Sequence, residues 1–366
     1  MKKTRCPSSL CVLPWMVILC AAACSQQAEP WRSSSQAGLK AYDEGRYADA
    51  EKHYLNALEE AEKYGPLNRR LAISFNNLGL LYQAQARYVE AESLQKRALS
   101  INEQILGPED PELAVSLNYL AYIYHDQGKY SEAVVLYQRA LSIVEKSFPP
   151  DHPNVAIHLN SLGQLYYSQG RYTEAEPLQQ RALAIKQKVF GSGHPEVAVS
   201  LNMLAILYMA ERTYEKAEPL LKQALSIQEK TLSPEHPEST KTMNNLAMLY
   251  LEQKRYSEAE PLLRKALAFR EKGLGPNHPE VATSLANLGG FYQAQGNYIE
   301  AEKLYKQALD IFDKSLGPGY PDLTNTLKAY AALLRKMGRP TEAHRLEARV
   351  QETASKAKKI SVTKSP

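Results

Sequence analysis

Cysteine is nearly absent from this chain and confined to one end: Cys6, Cys11, Cys20 and Cys24 all fall within the first 24 of 366 residues. A mature chain beginning at Cys24 would carry one thiol at its first position, which excludes an intramolecular disulfide framework. Excess charge is also scarce. The formal net charge is +4, and Lys2, Lys3 and Arg5 supply three of those charges at the extreme N-terminus. A nucleic-acid footprint would need a strongly basic face, so no nucleic-acid partner is expected. There is no Gly-rich phosphate loop and no GxSxG, HExxH or CxxC spacing. Those absences remove the commonest ways of cradling a phosphate, activating a nucleophile or holding a metal. The expectation is a protein without catalytic residues, cofactor or metal.

What the chain has is a period. Leu78, Leu120, Leu162, Leu204, Leu246 and Leu288 are each 42 residues apart, and so are Tyr82, Tyr124, Tyr166, Tyr208, Tyr250 and Tyr292. A second tyrosine column (Tyr88 to Tyr298) and an alanine column (Ala91 to Ala301) keep the same register without an insertion. Such self-similarity marks stacked units, none of which can bury its apolar face alone. Within a unit, Leu201, Leu204, Ala205 and Tyr208 lie on one helical stripe and Ala217, Leu220, Leu221 and Ala224 on another, with a polar break from Glu211 to Thr213. Each unit therefore reads as an antiparallel helix pair.

The Leu-Gly/Ala-x-x-Tyr run followed by Tyr-x-x-Ala resembles a tetratricopeptide repeat. The 42-residue period, the LNxLAxLY run and the HPxVA entry are similar to the variant found in kinesin light chains, strongly over residues 71–320. The resemblance implies an all-α, right-handed solenoid of about eight helix pairs over residues 37–349, with degenerate caps. Tyr47 precedes Tyr88 by 41 residues, not 42, and the last unit has Tyr330 in the leucine column and Leu334 in the tyrosine column. Both end units fit the atypical terminal repeats of a solenoid.

The punctuation of the repeat is also legible. First helices open at Pro111, Pro153, Pro195, Pro237, Pro279 and Pro321, where a missing N–H is harmless. His152, His194, His236 and His278 precede four of these prolines. Successive repeats about 10 Å apart cannot share an ion whose Zn–N bonds are about 2 Å, so the histidines read as helix entry. Thr173 with Glu176 and Ser257 with Glu260 fit capping boxes for second helices, with Pro177, Pro219 and Pro261 just after. Gly128, Gly170, Gly296 and Gly338 mark the corner between helices, but Arg212 and Lys254 replace glycine in the middle units. That replacement suggests a corner that does not always need a left-handed residue. The stretch 350–366 is basic and aperiodic and is expected to be disordered.

Residues 1–23 form a signal-peptide pattern: a basic start, an apolar run from Leu10 interrupted by Pro14, then Ala21, Ala22 and Ala23 before Cys24. Ala-Ala-Ala-Cys resembles a lipobox, which implies lipidation of Cys24 and, with Ser25 following, an outer-membrane lipoprotein facing the periplasm. A soluble periplasmic product is the alternative. Residues 24–36 read as a flexible tether, with Trp31 either docked or exposed.

One column is polar. Asn76, Asn118, Asn160, Asn202 and Asn244 each lie two residues before a column leucine, an offset off the packing stripe. By resemblance, first helices line the concave face and these positions point into it. A carboxamide donates and accepts, so a ladder of them could hold an extended peptide backbone. Positions four and seven residues later share that face: Leu80 and Gln83, Tyr122 and His125, Gln164 and Tyr167, Ile206 and Met209, Met248 and Leu251. The expectation is a scaffold that captures a protein or peptide segment in its groove. The alternative is an assembly module that self-associates or binds through its convex surface, with the asparagines structural.

Overall fold

The computed structural model describes residues 29–233, 235–315 and 321–363. The signal-peptide pattern at 1–23, Cys24 and residues 25–28 of the expected tether lie outside the described residues. Sixteen α-helices and no strand occupy the described residues, as eight consecutive pairs: α1 (Pro30–Asp43) with α2 (Tyr47–Glu62), α3 (Arg69–Ala84) with α4 (Tyr88–Leu106), α5 (Pro111–Asp126) with α6 (Tyr130–Ser147), α7 (Pro153–Ser168) with α8 (Tyr172–Phe190), α9 (Pro195–Ala210) with α10 (Tyr214–Thr231), α11 (Pro237–Glu252) with α12 (Tyr256–Leu274), α13 (Pro279–Ala294) with α14 (Tyr298–Ser315), and α15 (Pro321–Lys336) with α16 (Pro340–Thr363). Each helix packs mainly on its pair mate and next on the facing helix of the neighbouring pair, the nearest-neighbour pattern of a solenoid.

The columns become the core. Ala91, Ala133, Ala175, Ala217, Ala259 and Ala301 are fully buried, and the leucine column from Leu78 to Leu288 is nearly so. Each buried leucine contributes about 1.5–3 kcal/mol relative to exposure. Inside several pairs a glycine faces the bulky side chain 16 residues on. A Cβ at Gly79 would stand 2.7 Å from Gln95 Nε2, one at Gly163 3.0 Å from Gln179 Cγ, and one at Gly289 3.1 Å from Tyr305 Cε1. Where the partner is the shorter Leu221 or Leu263, the facing residue is Ala205 or Ala247.

Helix entry follows the sequence reading. The Nδ1 atoms of His152, His194, His236 and His278 accept the backbone N–H two residues on, at 3.1–3.2 Å, and Asp110 Oδ1 does so at 2.8 Å. These are N-cap bonds that satisfy a donor the helix leaves unpaired.

Four expectations are corrected. The tether ends by Glu29, because Trp31 docks in α1: its Nε1–H donates to Ser74 Oγ of α3 at 2.9 Å. The chain from 350 to 363 continues α16 as helix, in keeping with its Ala, Lys, Gln and Glu, all strong helix formers. The capping boxes do not form: α8 and α12 begin at the tyrosines, capped by Arg171 and Arg255 without a side-chain bond, so Thr173 and Ser257 already lie within the first turn and Pro177 and Pro261 inside the helix. The corner does need a left-handed residue, since Ala86, Arg212 and Lys254 adopt φ of 57°, 61° and 60°, beside 73° at Gly128.

Candidate functional site

Each first helix contacts the first helix of the next pair, whereas second helices of adjacent pairs make no comparable approach. The first helices therefore line the inside of the curve. Their partly exposed positions fall on one stripe: Val115, Tyr119, Tyr122 and His125 on α5; Ile157, Ser161, Gln164 and Tyr167 on α7; Val199, Met203, Ile206 and Met209 on α9; Lys241, Asn245, Met248 and Leu251 on α11. Tyr122, His125, Gln164, Tyr167, Ile206, Met209, Met248 and Leu251 thus lie on one face of the first helices, as does Leu80 on α3, while Gln83 is buried and donates to Asp126 at 2.7 Å.

The asparagine ladder does not face the channel. Asn118, Asn160, Asn202 and Asn244 are 5–8% exposed, and Asn76 is intermediate. One helical residue is 100° of rotation, and that step carries the carboxamides into the seam between successive first helices. There Asn118 Nδ2 and Asn160 Nδ2 stand 3.5 Å from Ser161 Oγ and Ser200 Oγ, and Asn202 Oδ1 accepts from Asn245 Nδ2 at 3.0 Å. The Oδ1 atoms of Asn76, Asn118, Asn160 and Asn244 are buried without a hydrogen-bond partner. The column that does face inward is one residue later: Tyr119, Ser161, Met203 and Asn245.

The stripe has two chemical zones. Toward α5 it is aromatic and polar: Tyr122, 48% exposed, stacks on His125 with centroids 6.1 Å apart, and His125 Nε2 lies 2.8 Å from Ser168 Oγ and its Nδ1 3.1 Å from Asp126. Toward α9 and α11 it opens into a cavity of about 340 Å³ lined by Tyr167, Ile206, Met209, Ala210, Arg212, Tyr214, Asn245, Met248 and Glu252. Tyr167 packs against Tyr172 at 5.9 Å, and burial followed by that neighbour raises its phenol pKa above the ordinary value. Of the lining residues, the sequence reading reached Tyr167, Ile206, Met209 and Met248. It missed Arg212 and Tyr214, which come from the corner, and Asn245, whose neighbour Asn244 drew attention away.

Thioethers and aliphatic groups flanked by one cation, one carboxylate and one carboxamide suit an apolar side chain carried on a hydrogen-bonding backbone. Among the described residues no group of three His, Cys, Asp or Glu could hold a metal ion. Nor is any described helix long and apolar enough to cross a membrane.

Comparison with known proteins places this geometry. A solved structure of nearly identical TPR-like repeats of the kinesin-light-chain kind from Podosopora anserina is 33% identical over 56% of this chain and 97% of its own, with TM-score 0.47. BtubC (BKLC) from P. vanneervenii is 24% identical, with 63% and 92% coverage and TM-score 0.50. The apo form of the quorum sensor NprR from B. thuringiensis matches at 15% identity over 88% of this chain and 87% of its own, with TM-score 0.62. No curated protein matches the sequence. The tetratricopeptide repeat model matches residues 34–104, 70–146, 112–188, 154–213, 196–272, 241–290 and 280–356 in overlapping windows. With eight consecutive helix pairs among the described residues and those windows spanning them, the chain belongs to the tetratricopeptide repeat family.

Proposed function

We propose that this chain is a non-enzymatic scaffold that captures an extended segment of a partner protein along the inner stripe from Tyr122 to Leu251. Tetratricopeptide repeats are typically protein-interaction modules, and the observation that carries the finer reading is the cavity around Met209 and Met248. It is partly open, with Ile206, Met209 and Met248 set beside Arg212, Asn245 and Glu252. Its role is to seat an apolar anchor of the partner, while the aromatic zone at Tyr122 and His125 reads the residues on one side. The asparagine column has no part in this grip: it ties first helices together. The leader pattern supports export, and the Ala-Ala-Ala-Cys run supports attachment to the envelope through lipid on Cys24.

A photoreactive amino acid at Met248, compared with one at the exposed Val135 of a second helix, tests the reading in cells that make the full chain. Discrete adducts at Met248 that disappear with Met209→Arg support groove capture. Adducts only at Val135 transfer the interaction to the convex surface and refute it.

A further inference from the structure

We propose that the coil closes on itself after six units, with pair one clasped on pair seven, so that the inner stripe borders an enclosed passage instead of an open trough. Two contacts with the same offset carry this. The corner between α1 and α2 sits on the entry of α13: a Cβ built on Gly45 would lie 2.8 Å from His278 Cδ2 and 3.5 Å from Pro279 Cδ. Beside it burial of Tyr47, the first residue of α2, followed by the charge of Glu280 on α13, raises its phenol pKa. One unit further along, α16 packs against α4, which again joins pairs six apart. A chance meeting of two ends would not repeat its offset, whereas successive turns of one superhelix must.

The remaining corners give the contrast. Nothing lies within 4 Å of a Cβ built on Gly128, Gly170, Gly296 or Gly338, so of these five corner glycines Gly45 alone is covered. Burial reaches Asp43 next to it and, with the nearby Glu44, raises its carboxyl pKa. The clasp bears on function through the groove reading on which it rests: a segment bound along Tyr122 to Leu251 enters along the coil axis or while the clasp is parted.

The test needs no partner, so its failure is distinguishable from failure of the groove reading, which the adducts at Met248 decide. Arginine already occupies this corner position at Arg212 with φ 61°, so Gly45→Arg and Gly128→Arg carry the same local strain. Only the former thrusts a side chain into the clasp. Small-angle scattering of the full chain should show a larger radius of gyration and a longer maximum dimension for Gly45→Arg, with Gly128→Arg superimposing on the unmodified protein. Independently, Gly45→Cys with His278→Cys should yield a disulfide-linked 45–278 peptide on mild oxidation, and this pair decides the matter if Gly45→Arg loses its helical circular dichroism. Scattering by folded Gly45→Arg identical to the unmodified chain, or a folded double-cysteine variant without the 45–278 linkage, overturns the clasp.

Discussion

Tyr208 Oη donates to Glu176 Oε1 at 2.8 Å across the junction between the fourth and fifth pairs. The bond recurs between Tyr82 and Glu51 at 2.9 Å, Tyr250 and Glu218 at 3.3 Å, and Tyr292 and Glu260 at 2.8 Å. A corner cation joins at several junctions: Arg87 and Arg255 lie over the rings of Tyr82 and Tyr250, at 3.7 and 4.2 Å, and also pair with Glu51 and Glu218. The last junction lacks the column tyrosine, yet Tyr330, one helical turn earlier, reaches Glu302 at 2.9 Å. The exchange of Tyr330 and Leu334 thus preserves the bond from the neighbouring turn. Tyr208→Phe should lower stability by about 1 kcal/mol, the net worth of one such hydrogen bond. Denaturant unfolding followed by circular dichroism measures it, and an unchanged midpoint would make the tyrosine column merely apolar.

A pH dependence follows from His158, which is buried on α7; desolvation lowers its pKa to about 4. An unfolded histidine titrates near 6.5. Between those values the unfolded chain takes up the proton and the folded chain does not, so stability is complete above about 6.5 and declines as pH falls toward 4. The decline attributable to this group by pH 5 is about 2 kcal/mol. Unfolding midpoints of the unmodified chain and of His158→Leu at pH 7 and pH 5 should show a smaller acid loss in the variant; equal losses would place the sensitivity elsewhere.

The asparagines show where periodicity stops being informative. The 42-residue columns specified the helices, their pairing and the inner stripe, because burial of Leu204 or Ala217 depends only on the two periods, helical and repeat. Placing Asn202 needed the flank of the stripe that the next first helix covers, and 100° separates a groove residue from a seam residue. The corner was hidden for another reason: Arg212 and Lys254 adopt left-handed backbone that their side chains do not announce. Asn202→Ala should cost about 1 kcal/mol through loss of the Asn245 bond, while partner adducts at Met248 persist. Loss of those adducts from a folded Asn202→Ala would return the column to the groove.

Attachment to the envelope has its own assay. On the proposed attachment, a diacylglyceryl group on Cys24 with a further acyl chain on the new N-terminus would contribute about 0.8 kcal/mol per buried CH₂ and give stable anchoring where one chain does not. Cells fed labelled palmitate should incorporate it into the unmodified chain and not into Cys24→Ser, and the variant should leave the membrane fraction. Unlabelled protein in both cases would favour the soluble periplasmic product.

Lys254 tests what a left-handed corner residue costs the scaffold. A residue with a Cβ held at φ 60° carries about 1 kcal/mol of strain, which glycine does not. Glycine also adds freedom to the unfolded chain, opposing the gain by about 0.4–1 kcal/mol. The two effects nearly cancel, so Lys254→Gly should change stability by less than about 0.5 kcal/mol, and Gly128→Ala, which adds the strain at φ 73° with open space around it and removes the same freedom, should stay within a similar margin. Parallel denaturant titrations of the two variants decide it. A large loss in Lys254→Gly would mean that the lysine side chain stabilises its corner through contacts beyond backbone conformation.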